Sequence, residues 1–176
     1  MSDIEQLLRA VQAFQNAEIK CVLIGGMAMR AHGSNYVTGD VDFAYAVDTT
    51  NIERLEAFLP TIRARVMGRP ANDNFVITAQ TLTRVRFLNL RTDLGEVDIM
   101  REIAGVESFE GLWERAVEMD LEGVRVRVAS IDDLIAMKRA ANRLKDQSHV
   151  LELLALKKLI EEGQSTPESP ADEGSV

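Results

Sequence analysis

The chain carries Ile19-Lys-Cys-Val-Leu-Ile-Gly-Gly26 and, after a gap of thirteen residues, Asp40-Val-Asp-Phe-Ala-Tyr-Ala-Val47. The first stretch is a short apolar run closed by two glycines, the pattern of a buried strand ending in a turn. The second alternates in polarity and reads as another strand. Aspartate is disfavoured in strands, so Asp40 and Asp42 at a strand entry need a reason. Residues i and i+2 of a strand point to one face, with Cα atoms roughly 6–7 Å apart. Two carboxylates so placed repel, and each raises the other's pKa unless a cation lies between them. Two-metal phosphoryl-transfer sites resolve that conflict with divalent ions about 3.5–4 Å apart, held by shared carboxylates. Magnesium suits such a place because it prefers oxygen ligands and keeps waters for substrate phosphates.

Asp98, flanked by Val97 and Ile99, is the candidate third carboxylate from a neighbouring strand. An ordinary solvent-facing aspartate is the plainer alternative. Gly25-Gly26 follows the first strand and opens a helix, so the bare backbone can approach a triphosphate and free N–H groups attract anions. A tight turn needing positive φ explains the same pair without a ligand.

Outward from these motifs the period changes. Ile4, Leu7, Leu8, Val11 and Phe14 recur at helical spacing, and Met27 to Ala31 makes a short helix stopped at His32-Gly33. Asn51 to Leu59 is amphipathic and ends at Pro60. Residues Met67 to Asn74 read as a loop, and Phe75 to Leu90 as two strands, Phe75–Thr78 and Val85–Leu90. A turn at Thr92–Gly95 precedes the strand Glu96–Met100. The pattern predicts a helix over Phe109–Met119 and a half-exposed strand at Val124-Arg-Val-Arg-Val128. Ser130, with Asp133 three residues later, caps a helix running to about Arg143, and a second helix spans Asp146 to Glu162. The order predicts an α+β fold, an α/β sandwich in which one mixed sheet is backed by helices and a C-terminal helical pair packs on it. Residues 1–129 form the expected core, 130–162 the helical part and 163–176 a disordered acidic tail without lysine or arginine.

No apolar run approaches the roughly 20 residues a bilayer span requires, and the N-terminus lacks the pattern of a signal peptide. One cysteine, Cys21 in an apolar run, cannot make an internal disulfide. These features fit a cytoplasmic protein without a membrane partner. A net charge of −8 makes the whole chain a poor electrostatic match for nucleic acid. Arg84, Arg86, Arg91, Lys138, Arg139, Arg143 and Lys145 either line an anionic-substrate cleft or lie on solvated faces.

Gly25-Gly-x-Ala28, His32-Gly33 and Thr38-x-Asp40-x-Asp42 resemble the signature of the polymerase-β-type nucleotidyltransferase superfamily. The resemblance is strongest to the abortive-infection (AbiEii-like) enzymes that act as toxins in type IV toxin–antitoxin pairs. A second block, Ser130-Ile-Asp-Asp-Leu-Ile-Ala-Met-Lys138 followed by Arg143-Leu-Lys-Asp146, agrees, and the likeness spans about residues 19 to 160. It implies a nucleotidyltransferase fold in which Asp40 and Asp42 bind two magnesium ions and Asp98 joins them and helps activate the attacking hydroxyl. It further implies that Gly25 and Gly26, helped by Thr38, cradle the phosphates of a nucleoside triphosphate, and that Lys138 neutralises triphosphate charge. Lys145 and Asp146 join the nucleotide site by the same resemblance; alternatively Asp146 caps the last helix and Lys145 is a solvated charge. Two positions depart from the family pattern. Tyr36 stands where arginine is frequent and His149 where aspartate is frequent, and neither alters the three metal carboxylates.

The remaining conspicuous residues have structural readings. His32 packs at a helix end, Cys21 belongs to the core, Trp113 sits on the apolar face of its helix, and the methionines fill gaps. The expected activity is transfer of a nucleoside monophosphate to a hydroxyl of RNA, a protein or a small molecule, with a cognate antitoxin or toxin as a possible partner. The competing expectation is a nucleotide-binding interaction module or antitoxin whose site is idle or regulatory.

Overall fold

The computed structural model describes residues 3–70 and 73–164. In chain order the elements are α1 (Asp3–Asn16), β1 (Cys21–Ile24), α2 (Gly25–Ala31), β2 (Asp40–Tyr45), α3 (Thr49–Phe58), β3 (Arg65–Val66), α4 (Ala79–Arg84), β4 (Phe87–Thr92), β5 (Gly95–Met100), α5 (Phe109–Arg115), β6 (Val117–Leu121), β7 (Val124–Val128), α6 (Ile131–Ala141) and α7 (Leu144–Gln164). The fold is α+β, with one seven-stranded sheet in the order β3-β4-β5-β2-β1-β7-β6. Two neighbouring pairs, β1–β7 and β2–β5, are parallel, and the others are antiparallel. No described helix is long and apolar enough to cross a membrane.

The strands at the centre follow the alternation in their sequences. Val41 and Phe43 of β2, Val97 and Ile99 of β5, and Leu88 and Leu90 of β4 are buried on one face of the sheet. That face is covered by α1, whose Leu7, Leu8, Val11 and Phe14 recur at helical spacing and are all buried. Phe14 stacks on Phe43 with ring centroids 4.5 Å apart and meets Phe58 edge-on at 5.0 Å. Each such fully buried side chain contributes about 1.5–3 kcal/mol of transfer free energy. The ends of β1 and β2 are tied by Asn51, whose amide donates to the carbonyls of Ala46 (2.8 Å) and Lys20 (3.0 Å) and accepts from the Lys20 N–H at 2.6 Å. A buried side-chain amide is tolerated there because all these groups are paired.

Two elements differ from the sequence reading. Phe75–Thr78, expected as a strand, has no regular structure, and Phe75 and Val76 are 42% and 65% exposed. Its β-branched residues instead lead into a capping box: the Thr78 hydroxyl accepts from the Thr81 N–H, and Thr81 reaches back to the Thr78 N–H, so α4 starts there. The helix expected over Phe109–Met119 stops at Arg115, and Val117–Leu121 turns back as an antiparallel hairpin with β7. Glu122 and Gly123 make that hairpin turn with φ of 53° and 89°, the doubly positive geometry that matches strand twist. Backbone pairing to Val124–Val128 thus overrides the helical spacing of residues 116–119.

The C-terminal pair appears as α6 and α7, with α6 against α2 and α7 packed along α6. Ser130 caps α6 by accepting the Asp133 N–H at 3.1 Å, and Asp133 in turn receives the Ser130 hydroxyl at 2.7 Å and the Arg115 guanidinium at 2.7–3.1 Å. Asn142, at φ 47°, closes α6 in the left-handed conformation, so α7 departs at once. The expected acidic tail falls from residue 165 onward, outside the described residues; 163 and 164 belong to α7.

Candidate active site

On the face of the sheet opposite α1, the polar residues of three adjacent strands converge. The parallel register of β2 and β5 sets Asp40 beside Glu96 and Asp42 beside Asp98, and the antiparallel register of β4 sets Asn89 beside Asp98. Because side chains alternate, Asp40, Asp42, Asp98 and Asn89 all face the same way. Carboxylate oxygens of Asp40, Asp42 and Asp98 lie within 4.8 Å of one another. The Asn89 amide donates to Asp98 Oδ2 at 2.6 Å, and the Thr38 hydroxyl donates to Asp40 Oδ1 at 2.6 Å. Both neighbours donate, so each leaves a second carboxylate oxygen turned to the cleft.

The Gly25-Gly26 turn lies directly beside this cluster. Ile24 is the register partner of Asp42, which carries Gly25 to the carboxylate itself. Gly25 has φ +65°, and a Cβ on it would come 2.0 Å from Asp42 Oδ2. A Cβ on Gly26 would meet the Thr38 side chain at 2.7 Å and the Tyr36 ring at 3.0 Å. Both glycines are thus required by close approach, and Gly25 by conformation as well. The Gly26 N–H donates to Asp42, so one helix-start amide is already directed into the site.

The opposite wall comes from α6 and the start of α7. Lys138 and Arg143 line the cleft with Asp146, and the cleft has a volume of about 440 Å³. Lys138 Nζ is 3.4 Å from Asp146 Oδ1. Asp146 is the third residue of α7 and accepts the Arg143 N–H at 3.3 Å, the reach-back bond of a capping box. Asp146 is therefore not the N-cap expected from the sequence: α7 starts two residues earlier, Arg143 occupies the cap position, and Asp146 reaches back to its N–H. Lys145 lies in the first turn of α7, and its side chain is outside the described part of the structure. The two positions that depart from the family pattern meet in space, since Tyr36 and His149 touch edge to face with centroids 4.5 Å apart.

The electrostatics of the two walls differ. Burial, and then the charges of Asp40 and Asp98, push the Asp42 carboxyl up to about 7, against the opposing pull of Lys138 and the Gly26 N–H. Burial raises Asp98 as well; the Asn89 bond opposes it, and the charges of Asp40 and Glu96 add to it. Asp146 is held below the ordinary carboxylate range: burial pushes it up, but the Lys138 ammonium, the Arg143 N–H and the Arg143 guanidinium outweigh that push. Three like charges in one cleft, lacking enough cation of their own, are the donor set for a hard divalent ion with oxygen ligands. The residues present fit magnesium.

Sequence reasoning missed Asn89. A polar residue in the middle of Phe87-Leu-Asn-Leu90 was the available signal, because asparagine inside a strand needs a partner just as aspartate does. His32 packs at the end of α2, where its Nε2 lies 2.8 Å from the Ala129 carbonyl. Cys21 is buried, with its thiol pushed far up by that burial, and Trp113 stacks beneath Arg127 with the guanidinium carbon 4.3 Å from its ring centroid.

A mixed sheet with adjacent carboxylates on neighbouring parallel strands and a Gly-Gly turn above them is the arrangement that the resemblance to nucleotidyltransferases implied. The family model described as "Nucleotidyl transferase AbiEii toxin, Type IV TA system" matches residues 6–150, and the chain belongs to that family of enzymes. Solved structures of similar fold include the lincosamide antibiotic adenylyltransferase LnuA in its lincomycin-bound form, with a TM-score of 0.59 and 12% identity, covering 86% of this chain and 96% of that one. ANT(2″)-Ia in complex with adenylyl-2″-tobramycin matches with a TM-score of 0.54 and 15% identity, over 92% of this chain and 90% of that one. An antigenic nucleotidyltransferase-like protein from Paracoccidioides brasiliensis has a TM-score of 0.50 and 16% identity, over 93% and 77% of the two chains. No curated protein sequence matches the chain.

Proposed function

We propose that the protein is a magnesium-dependent transferase that moves a nucleoside monophosphate from a nucleoside triphosphate to an acceptor hydroxyl. The observation that carries this reading is the group of three carboxylates within 4.8 Å, facing a cleft whose other walls are Gly25-Gly26 and Lys138. Asp40, Asp42 and Asp98 would hold two magnesium ions, which when bound neutralise phosphate charge and orient the reacting oxygens. The backbone at Gly25 and Gly26, which lines the same cleft as the carboxylates, receives the triphosphate. Thr38 fixes the rotamer of Asp40 through its 2.6 Å bond. Lys138, on the opposite wall, compensates the charge of the β- and γ-phosphates.

In the transfer, an oxygen of the acceptor forms a bond to the α-phosphorus while the bond from that phosphorus to the bridging oxygen breaks, and pyrophosphate leaves. Asp98 accepts the acceptor's proton. Asn89 keeps it oriented through its 2.6 Å bond to Asp98 Oδ2. The acceptor is RNA, a protein side chain or a small molecule; the antibiotic adenylyltransferases of similar fold support the last, and membership of a toxin family supports a cellular target. Within that reading the protein acts in the cytoplasm as a toxin with a cognate antitoxin.

Incubation with each α-labelled triphosphate, magnesium, and either total RNA, lysate protein or aminoglycoside and lincosamide substrates tests the proposal. Label should pass to one acceptor class only. Full transfer by the Asp40→Ala/Asp42→Ala variant would refute the assignment of these residues.

A further inference from the structure

Lys138 stands between two acidic groups, and the structure shows which of them holds it. On one side its charge is felt at Asp42, and the ammonium lines the same cleft as the three carboxylates. On the other side it lies 3.4 Å from Asp146. Asp146 is almost fully enclosed, with 3% of its side chain exposed, and its oxygens are engaged: Oδ1 by Lys138 and, at 3.8 Å, by the His149 ring, Oδ2 by the Arg143 N–H and guanidinium. A carboxylate so occupied has no free oxygen for a nucleotide, and its charge would repel a triphosphate.

The enclosure is itself anchored. His149 is buried one turn along α7 and packs against Tyr36, while Ser34 donates to Glu152 of the same helix at 2.6 Å. The loop between α2 and β2, which ends in Thr38 and Asp40, therefore grips the face of α7 that presents Asp146. Without such an anchor, an ammonium in a cleft with three clustered carboxylates is drawn to them, because an unscreened opposite charge is the strongest attraction available in a half-buried site. It would then occupy the place of the cation.

We infer that Asp146 is a positioning residue that holds the Lys138 ammonium away from the Asp40–Asp42–Asp98 cluster, so that the cluster stays open to a divalent cation. This rests on the metal site proposed above and deepens it. The assignment differs from a direct nucleotide contact by Asp146, and the two make different predictions for metal binding.

Titration of Mn²⁺ into the protein by calorimetry, in the absence of nucleotide, reads the effect without any turnover. Asp146→Asn should weaken Mn²⁺ binding about tenfold, because the freed ammonium competes for the carboxylates. Adding Lys138→Met to that variant should return the affinity to within about twofold of the parent, even though transfer stays impaired. Asp42→Asn in the parent should abolish the binding, which confirms that the signal comes from the cluster and separates failure of the site itself from failure of this inference. Unchanged Mn²⁺ affinity in Asp146→Asn would overturn the inference. So would a loss that Lys138→Met does not restore, since a ligand role or a folding defect predicts that result. Thermal melts of all variants identify a folding defect directly.

Discussion

Two carboxylate sites, one at the start of α6 and one in the cleft that α6 helps to wall, use the same residue type to opposite ends. Asp133 has its charge answered: Arg115 grips both oxygens, Ser130 donates to one of them, and the group caps α6. Asp42 has its charge multiplied, with Asp40 and Asp98 beside it and only a distant ammonium and one N–H in compensation. A compensated carboxylate stabilises the fold, and an uncompensated one opposes it until a ligand arrives. The contrast separates structural from functional aspartates more clearly than their positions in the sequence do.

The largest break in that contrast is Asp42→Asn. Transfer should fall by about 100- to 1,000-fold in kcat, the scale of removing one electrostatic element from a polar active site, while the metal-free variant melts no lower than the parent. Radiolabel transfer and a thermal melt check the two halves of the statement. The converse holds for Asp133→Ala. Loss of the cap and the Arg115 pair should destabilise by about 1–3 kcal/mol, seen as a fall of several degrees in Tm, with kcat close to the parent at a permissive temperature.

A further break concerns pH. Asp42 titrates near 7 in the folded chain against 3.8 ordinarily, so between those values the folded form binds more protons than the unfolded one. Stability contributed by this group therefore falls as pH rises from about 4 to 7 and is fully lost above that. A denaturant series in EDTA should show the parent losing stability over that range relative to Asp42→Asn. Magnesium should remove most of the difference at pH 8. A slope equal in the two proteins would mean that the Asp42 carboxyl is not raised in the folded chain.

Much of the site was legible because its reasons are local. Asp40 and Asp42 sit two apart on one strand, and the glycines adjoin a strand end, so face and spacing follow from the chain alone. Asp98 required a guess at which strands pair, and its place beside Asp42 depends on a parallel register that no local pattern encodes. Asn89 lies one strand further away and was not seen at all. The fold failed to read correctly where long-range pairing or a cap outweighed composition. Val117–Leu121 had helical spacing but a better partner in β7, and Phe75–Thr78 had strand composition but no strand to pair with. The meeting of Tyr36 with His149 depends on the packing of α7 and has no signature in either segment.

The parallel register of β2 and β5 also makes the site depend on a long-range pairing. The strands that carry Asp42 and Asp98 are separated in the chain by α3, β3, α4 and β4, so their pairing closes a long loop at a cost in chain entropy. The closing step brings like charges together, so in the absence of a cation it runs against their repulsion. A divalent ion that binds only the closed arrangement would favour completion by mass action. The carboxylate cluster is in this way conditional on the joining of two strands far apart in the chain.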